Sequence, residues 1–270
     1  MLFGLSLNFL PTFPAEPRMT TFSKNLITTL LLAAVPAIVF GQAKTTASIG
    51  LDYSEGKYGE AETSSTWSMP VSIKHETGPL TLKLGVPYVR SSGVAAAGGD
   101  QRVAATSQTQ SGMGDLTASA FYNVHNDAKS KFGADLGVKA KFATADNAKT
   151  LLTTGENDYS LQADLFRGFG DTTLFGSLGW TKKGDTSATD FRDPWYGGIG
   201  FSNKLSAANS WGASYDYRQK VTANGDPVSE LSLFMVHKYS QAMKVQGYVV
   251  TGFSDASPDL GVGATFSYSF

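Results

Sequence analysis

The sequence predicts an all-β protein, a transmembrane antiparallel up-and-down β-barrel of about twelve strands that ends on Phe270. Three observations carry this. In the final stretch, 260–270, Leu260, Val262, Ala264, Phe266, Tyr268 and Phe270 alternate with Gly261, Gly263, Thr265, Ser267 and Ser269. Strict period two marks a strand with one apolar and one polar face, and about ten residues suffice for a tilted strand to cross a bilayer. The same alternation recurs along the chain, without a helix-period apolar stretch after residue 43. Finally, short and long connections alternate between the segments, as in a barrel with tight turns at one end and longer loops at the other.

Taken in order, 46–54 turns Ala47, Ile49, Leu51 and Tyr53 outward, and 64–75 does so with Trp67, Met69, Val71 and Ile73. Segment 80–90 presents Leu80, Leu82, Leu84, Val86 and Tyr88; segment 114–124 presents Leu116, Ala118, Ala120, Tyr122 and Val124. The clearest is 131–143, where Phe132, Ala134, Leu136, Val138, Ala140 and Phe142 alternate with Gly133, Asp135, Gly137, Lys139 and Lys141. Segments 158–167, 172–182, 195–205, 210–219, 229–239 and 244–253 continue the pattern up to the last. The connections 76–79, 125–130, 168–171, 206–209 and 240–243 are short. Those at 55–63, 91–113, 144–157, 183–194 and 220–228 are longer, and 254–259 is brief. An even strand count puts both termini on the short-turn side.

Outward Tyr and Trp collect at segment ends, Tyr53, Trp67, Tyr88, Tyr159, Trp180, Trp195 and Tyr217 at one rim and Tyr122, Trp211, Tyr239 and Phe270 at the other. They form the aromatic girdles of a membrane protein. The core aromatics of a soluble sandwich would not sort to strand ends. Pro70 and Pro87 interrupt two segments that fold onto one another, and each removes a ladder donor, so a bulge or break is expected there.

Residues 1–43 read as a signal peptide, with Lys24 before the apolar run 26–40 and small residues at Gly41 and Ala43. Met19 is the expected true start, because a signal beginning there has ordinary proportions. The run is shorter than the roughly 20 residues of a spanning helix. Residues 44–270 then form the barrel. The chain has no cysteine, which excludes a disulfide scaffold, and its formal charge of −1 gives no footprint for nucleic acid.

The inward positions are Gly, Ser, Thr and charges of both signs. Asp115, Asp135, Asp164 and Asp216 lie mainly toward the long-loop half, and Lys83 and other lysines toward the short-turn end; Lys139 and Arg218 are inward too. An axial field of this kind orients a charged or dipolar solute. Equally, such charges can pair and plug the barrel. Inward Phe121, Phe175 and Phe234, with Phe166, Tyr196 and Tyr248, either line a path for apolar solutes or pack against an inward-folded 91–113 loop. Twelve strands enclose a narrower lumen than an open porin.

Lipid hydrolysis would need a nucleophile within reach of a base. The histidines, His75, His125 and His237, all fall at short-turn segment ends, and their spacing suggests no metal site. No catalytic, cofactor or metal residue is assigned, although Asp185, Asp190 and Asp193 in one loop offer oxygen ligands for calcium.

The final strand with its terminal Phe resembles the C-terminal signal of bacterial outer-membrane barrels. That resemblance implies export to the outer membrane of a Gram-negative cell and insertion by the barrel-assembly machinery. Gly112-Met113-Gly114-Asp115-Leu116 and Thr154-Gly155-Glu156-Asn157-Asp158-Tyr159 are similar to segments of the outer-membrane barrels of the MetA-pathway of phenol degradation family, in detail over roughly 112–184. Membership implies a barrel passing hydrophobic or aromatic compounds and carries no catalytic residue. The expectation is a monomeric barrel, surrounded by outer-membrane lipid, that passes small molecules passively through a narrow lumen. The alternatives are a closed structural or adhesive barrel binding partners through its outer loops and, ranked last, an outer-leaflet lipid hydrolase.

Overall fold

Thirteen strands follow one another along the chain of the computed structural model, which describes residues 43–94 and 107–270. They are β1 (Lys44–Gly56), β2 (Ser64–Thr77), β3 (Leu80–Gly93), β4 (Gln108–Met113), β5 (Leu116–Asp127), β6 (Phe132–Phe142) and β7 (Asp158–Phe169). Then come β8 (Thr172–Lys182), β9 (Trp195–Lys204), β10 (Asn209–Arg218), β11 (Val228–Lys238), β12 (Met243–Gly252) and β13 (Leu260–Ser269). All pairings are antiparallel, and β1, β2, β3 and β5 to β13 close into a ring of twelve, with β4 as one extra strand. The described residues contain no helix long and apolar enough to cross a membrane.

Closure joins the chain's ends. β1 pairs with β13 from Thr46↔Ser269 to Glu55↔Leu260. Below the ladder, Phe270 N–H donates to Thr45 O at 2.8 Å and Thr45 N–H to Phe270 O at 3.1 Å. Neither terminal strand keeps a bare edge, the condition for a sheet in hydrocarbon.

The residues are distributed inside out. Ser54, Ser64, Ser91 and Ser232 are almost fully buried, while Ile49, Leu84, Leu136, Leu161, Leu178, Ile199 and Leu233 are exposed on the outer face. A water-soluble protein cannot leave so continuous an apolar belt open to solvent, so the belt's solvent is lipid. At the rim toward the longer loops, Tyr53 and Trp67 pack with ring centres 4.7 Å apart, and Trp180 faces Trp195 across the β8–β9 ladder.

The two prolines break the ladders. Pro70 and Pro87 face each other across β2 and β3. The β1–β2 ladder lapses between Ile49↔Val71 and Asp52↔Ser68. On the other side, β3 changes partner: Gly85 faces Thr117 of β5, but Tyr88 faces Met113 of β4, a shift of one residue. Gly114 N–H donates to Pro87 O at 2.7 Å, and a Cβ on Gly114 would stand 2.8 Å from Pro87 Cγ. The bulge therefore requires glycine. β4 is the one strand absent from the sequence reading, which left 108–113 in a loop. It carries Gln108, Thr109, Gln110 and Ser111 and extends the wall beyond the apolar belt, where no lipid imposes alternation. Apart from Ala43, the signal-peptide region lies outside the described residues.

Candidate functional site: the barrel interior

Strand pleat fixes which side chains enter the lumen. Leu82, Leu84, Tyr122, Leu136, Val138, Leu165, Leu174, Tyr215, Tyr217, Leu233 and Met235 are exposed on the outer face. Their intervening neighbours point inward: Lys83 on β3, Phe121 on β5, Asp135 and Lys139 on β6, Asp164 on β7, Phe175 on β8, Asp216 on β10 and Phe234 on β11. Arg218 ends β10 at the longer-loop rim, and Asp115 sits in the link between β4 and β5.

Register brings the charges into like-signed pairs. Asp135 faces Asp164, and Asp216 faces Glu230. These carboxylates are held by neutral donors: Asn123 Nδ2 reaches Asp135 at 2.5 Å, Gln162 Nε2 reaches Asp164 at 2.5 Å and Ser214 Oγ reaches Asp216 at 3.0 Å. Tyr196 OH in turn donates to Gln162 Oε1 at 2.9 Å, and Tyr248 OH to Asp52 at 2.9 Å. Nearer the short turns, Lys74 faces Lys83 and Lys238 faces Lys244. Glu76 pairs with Lys74 at 2.9 Å. The wall between Lys244 and Lys74 is hydroxylic, with Thr46–Ser269 and Ser48–Ser267 bonded at 2.9 Å. Lys139 stands over the rings of both Phe121 and Tyr196, 5.7 Å from each centre.

At the longer-loop end, Asp115 anchors a buried network. It accepts from Thr144 N–H and Ala145 N–H at 3.1 Å each, and from Thr153 Oγ1 at 2.7 Å. Lys141 lies 3.5 Å from Asp115 and 3.2 Å from Asp158; Lys183 reaches Asp158 at 2.9 Å. These bonds fold the 143–157 loop into the mouth, where Leu151 and Leu152 are buried and Leu152 lies against Gly112 of β4. Leu151 N–H donates to Gln110 Oε1 at 2.8 Å and Lys149 Nζ to Ser111 O at 2.7 Å. Tyr58, Phe191 and Val221 from other loops are buried too. Burial pushes the Tyr58 hydroxyl pKa up to about 12. The sequence offered 91–113 as a candidate inward-folded loop. In the structure 91–93 belong to β3 and 108–113 to β4, 95–106 lie outside the described residues, and the loop seen entering the mouth is 143–157. Loop docking leaves no periodic trace, so Leu151, Leu152, Phe191 and Lys183 carried no signal.

On the side of β7 to β12, the inward rings meet. Phe175, Phe234 and Val236 form a buried cluster, with Phe166 and Tyr248 packed against it. The Phe175 ring lies over Gly200 and the Phe234 ring over Gly212, so close that a Cβ at either glycine would fall within 2.5 Å of the ring. Glycine on β9 and β10 is what lets the two rings approach from opposite sides.

The histidines sit where their segment ends placed them: His75 Nδ1 bonds Thr45 Oγ1 at 2.9 Å, His237 Nδ1 bonds Asn209 Oδ1 at 2.8 Å, and His125 packs on Phe132. The calcium ligands offered by Asp185, Asp190 and Asp193 do not assemble; among the described residues no group of three His, Cys, Asp or Glu could hold a metal. Asp193 is instead taken by Lys182 and Lys183 N–H, and Asp185 accepts from Phe191 N–H at 2.7 Å.

This interior and closure define a class, the outer-membrane-type β-barrel with a polar lumen. Solved structures share the architecture. The "KdgM porin" is 11% identical, with a TM-score of 0.53 over 83% of this chain and 99% of that one. The "NanC porin" is 8% identical, with a TM-score of 0.53 over 82% and 98%. The translocator domain of the autotransporter NalP from Neisseria meningitidis is 12% identical, at 0.51 over 84% and 88%. At such identities the likeness is one of fold. No family model and no curated protein matches the sequence, so the resemblance to the phenol-degradation barrels gains no support from these comparisons.

Proposed function

We propose that the chain is an outer-membrane channel through which small molecules diffuse passively. One observation carries the reading: inward lysines of the lumen wall keep accessible surface. Lys139 and Lys244 point inward yet stay only half-buried, at the levels between the two ends. Charged groups in a dry, filled interior would need a counter-charge in contact. The small inward residues Gly85, Ser119 and Ser177 leave room for water and solute, while Gly137 and Gly198 are covered by the Phe121 ring and the Asp216 carboxylate. Hydrophobic or aromatic compounds fit the inner rings, and the narrow circumference argues for a selective path. Liposome swelling tests this: liposomes holding the protein should admit small uncharged solutes faster than empty ones, with a sharp fall as solute size grows.

A second reading has its own observation, the packed mouth. The 143–157 loop, held by Asp115, narrows the path from outside. If it never yields, the barrel is a closed scaffold whose outer loops meet partners. Liposomes that stay impermeable to every solute while the barrel is folded would favour that reading.

A further inference from the structure

We infer that the short-turn half of the lumen is a binding site for an organic anion with an apolar, ring-like body. The inference rests on the channel reading and names its solute class. Lys244, Lys74 and Lys83 lie on β12, β2 and β3, about three residues or fewer above the short turns. Their like-signed pairing across the ladders, Lys74 with Lys83 and Lys244 with Lys238, draws ammonium groups together where repulsion opposes it. Glu76 pairs with Lys74 at 2.9 Å. The wall between them, on β13 and β1, offers hydroxyls from Ser267 and Ser48. Ammonium and hydroxyl donors on one arc suit a carboxylate or another oxyanion.

The opposite arc is different in kind. In a ring of twelve, β1 and β8 face each other across the lumen. At the same height as the lysines, β7 and β8 present Phe166 and Phe175, which join Phe234 in the apolar cluster. An anion passing this level meets donors on one side and, on the other, the partly exposed Phe166 ring backed by the buried Phe175 and Phe234. A purely polar anion leaves the rings unused, and a cation meets like charge. The carboxylates Asp164, Asp216 and Glu230 stand farther from the short turns, whereas Asp135 on β6 stands as near its turn as Lys83 does; the lysine arc still makes the anion's approach easier from the short-turn end.

The test uses the full chain, exported and purified from the membrane, in planar bilayers with three probes. Benzoate carries the ring and the anion, acetate only the anion, and benzylammonium the ring with a cation. Benzoate should interrupt the current, at lower concentration from the short-turn side than from the other. Acetate, which loses the ring contact, and benzylammonium, which loses the charge-assisted one, should each need about tenfold more or fail. The Lys74→Gln, Lys83→Gln, Lys244→Gln triple variant should lose that preference while keeping its heat-modifiable folded form. Equal block by benzoate and benzylammonium, or a folded triple variant that blocks like the parent, would overturn the site and leave the channel standing. If the folded barrel is silent, benzoate binding followed by NMR in detergent decides. Lysine-dependent binding would uphold the site and overturn only the channel reading, and no binding would overturn both.

Discussion

Replacing Asp115 by Ala should release the 143–157 loop from the mouth. Asp115 is fully buried and holds the loop through two backbone N–H groups and the Thr153 hydroxyl, with Lys141 beside it. A hydrogen bond to a charged group contributes about 1.5–3 kcal/mol, and removing one member of a buried pair costs about 3–5 kcal/mol. Asp158 still compensates Lys141 at 3.2 Å, which moves the expected cost toward the lower figure. About 3 kcal/mol corresponds to a loop-open population roughly a hundred times larger. Tryptic cleavage after Lys149 reads that population, because Lys149 is tied to Ser111 O at 2.7 Å in the closed loop and reclosing outpaces slow cleavage. The Asp115→Ala cleavage rate should rise by about two orders of magnitude with the barrel still intact. Asp115→Asn, which keeps an acceptor for the backbone donors, should fall between. Conductance should rise in the same order. Cleavage as slow in Asp115→Ala as in the parent would refute the anchoring role.

Other expectations follow from single contacts. Gly114→Val should push Pro87 and its strand apart, since the added Cβ meets Pro87 Cγ at 2.8 Å; its urea midpoint in lipid should fall well below the parent's. Deleting Phe270 removes the two backbone bonds to Thr45 that end the β1–β13 closure, and should lower the yield of heat-modifiable barrel in the outer membrane. Tyr58 supplies a pH effect. Its folded pKa, about 12, stands above the ordinary 10.0, so the folded state holds the proton longer than the unfolded one. The stability it contributes is present below pH 10.0 and is lost as pH rises through about 12. Tyr58→Phe should flatten that alkaline loss, as followed by unfolding titrations. Finally, Leu178 and Leu205 are each 58% exposed, but Leu178 lies at the middle of β8 and Leu205 just past the end of β9. Leu178→Lys should cost about 2–4 kcal/mol in a bilayer and Leu205→Lys about 0–1, whereas in water the two would match.

The strands were legible because two solvents dictate them. Lipid outside and water inside force alternation, and β8 appears in the structure with the bounds 172–182 that its pattern marked. Pro70 and Pro87 announced a break, for the plain reason that neither can donate to a ladder. β4 escaped because it stands beyond the lipid, where Gln110 and Ser111 meet the docked 143–157 loop and no lipid imposes a period. The site was legible in part. Pleat fixed that Lys83, Asp135, Lys139 and Asp164 turn inward, but only register shows that Lys83 meets Lys74 and that Asp135 meets Asp164. The partners of Asp115 lie across a loop, and the meeting of Phe175 with Phe234 spans two intervening strands. Contacts of that kind depend on where whole segments dock, and no local pattern encodes them.

The measurement that bears most directly on the central claim is single-channel recording of the full-chain protein, purified from the membrane, in planar bilayers. The account predicts discrete current steps of one small, reproducible size, absent without protein and larger when Asp115→Ala frees the mouth. A barrel that is folded and heat-modifiable, yet passes no current in either form, would contradict it.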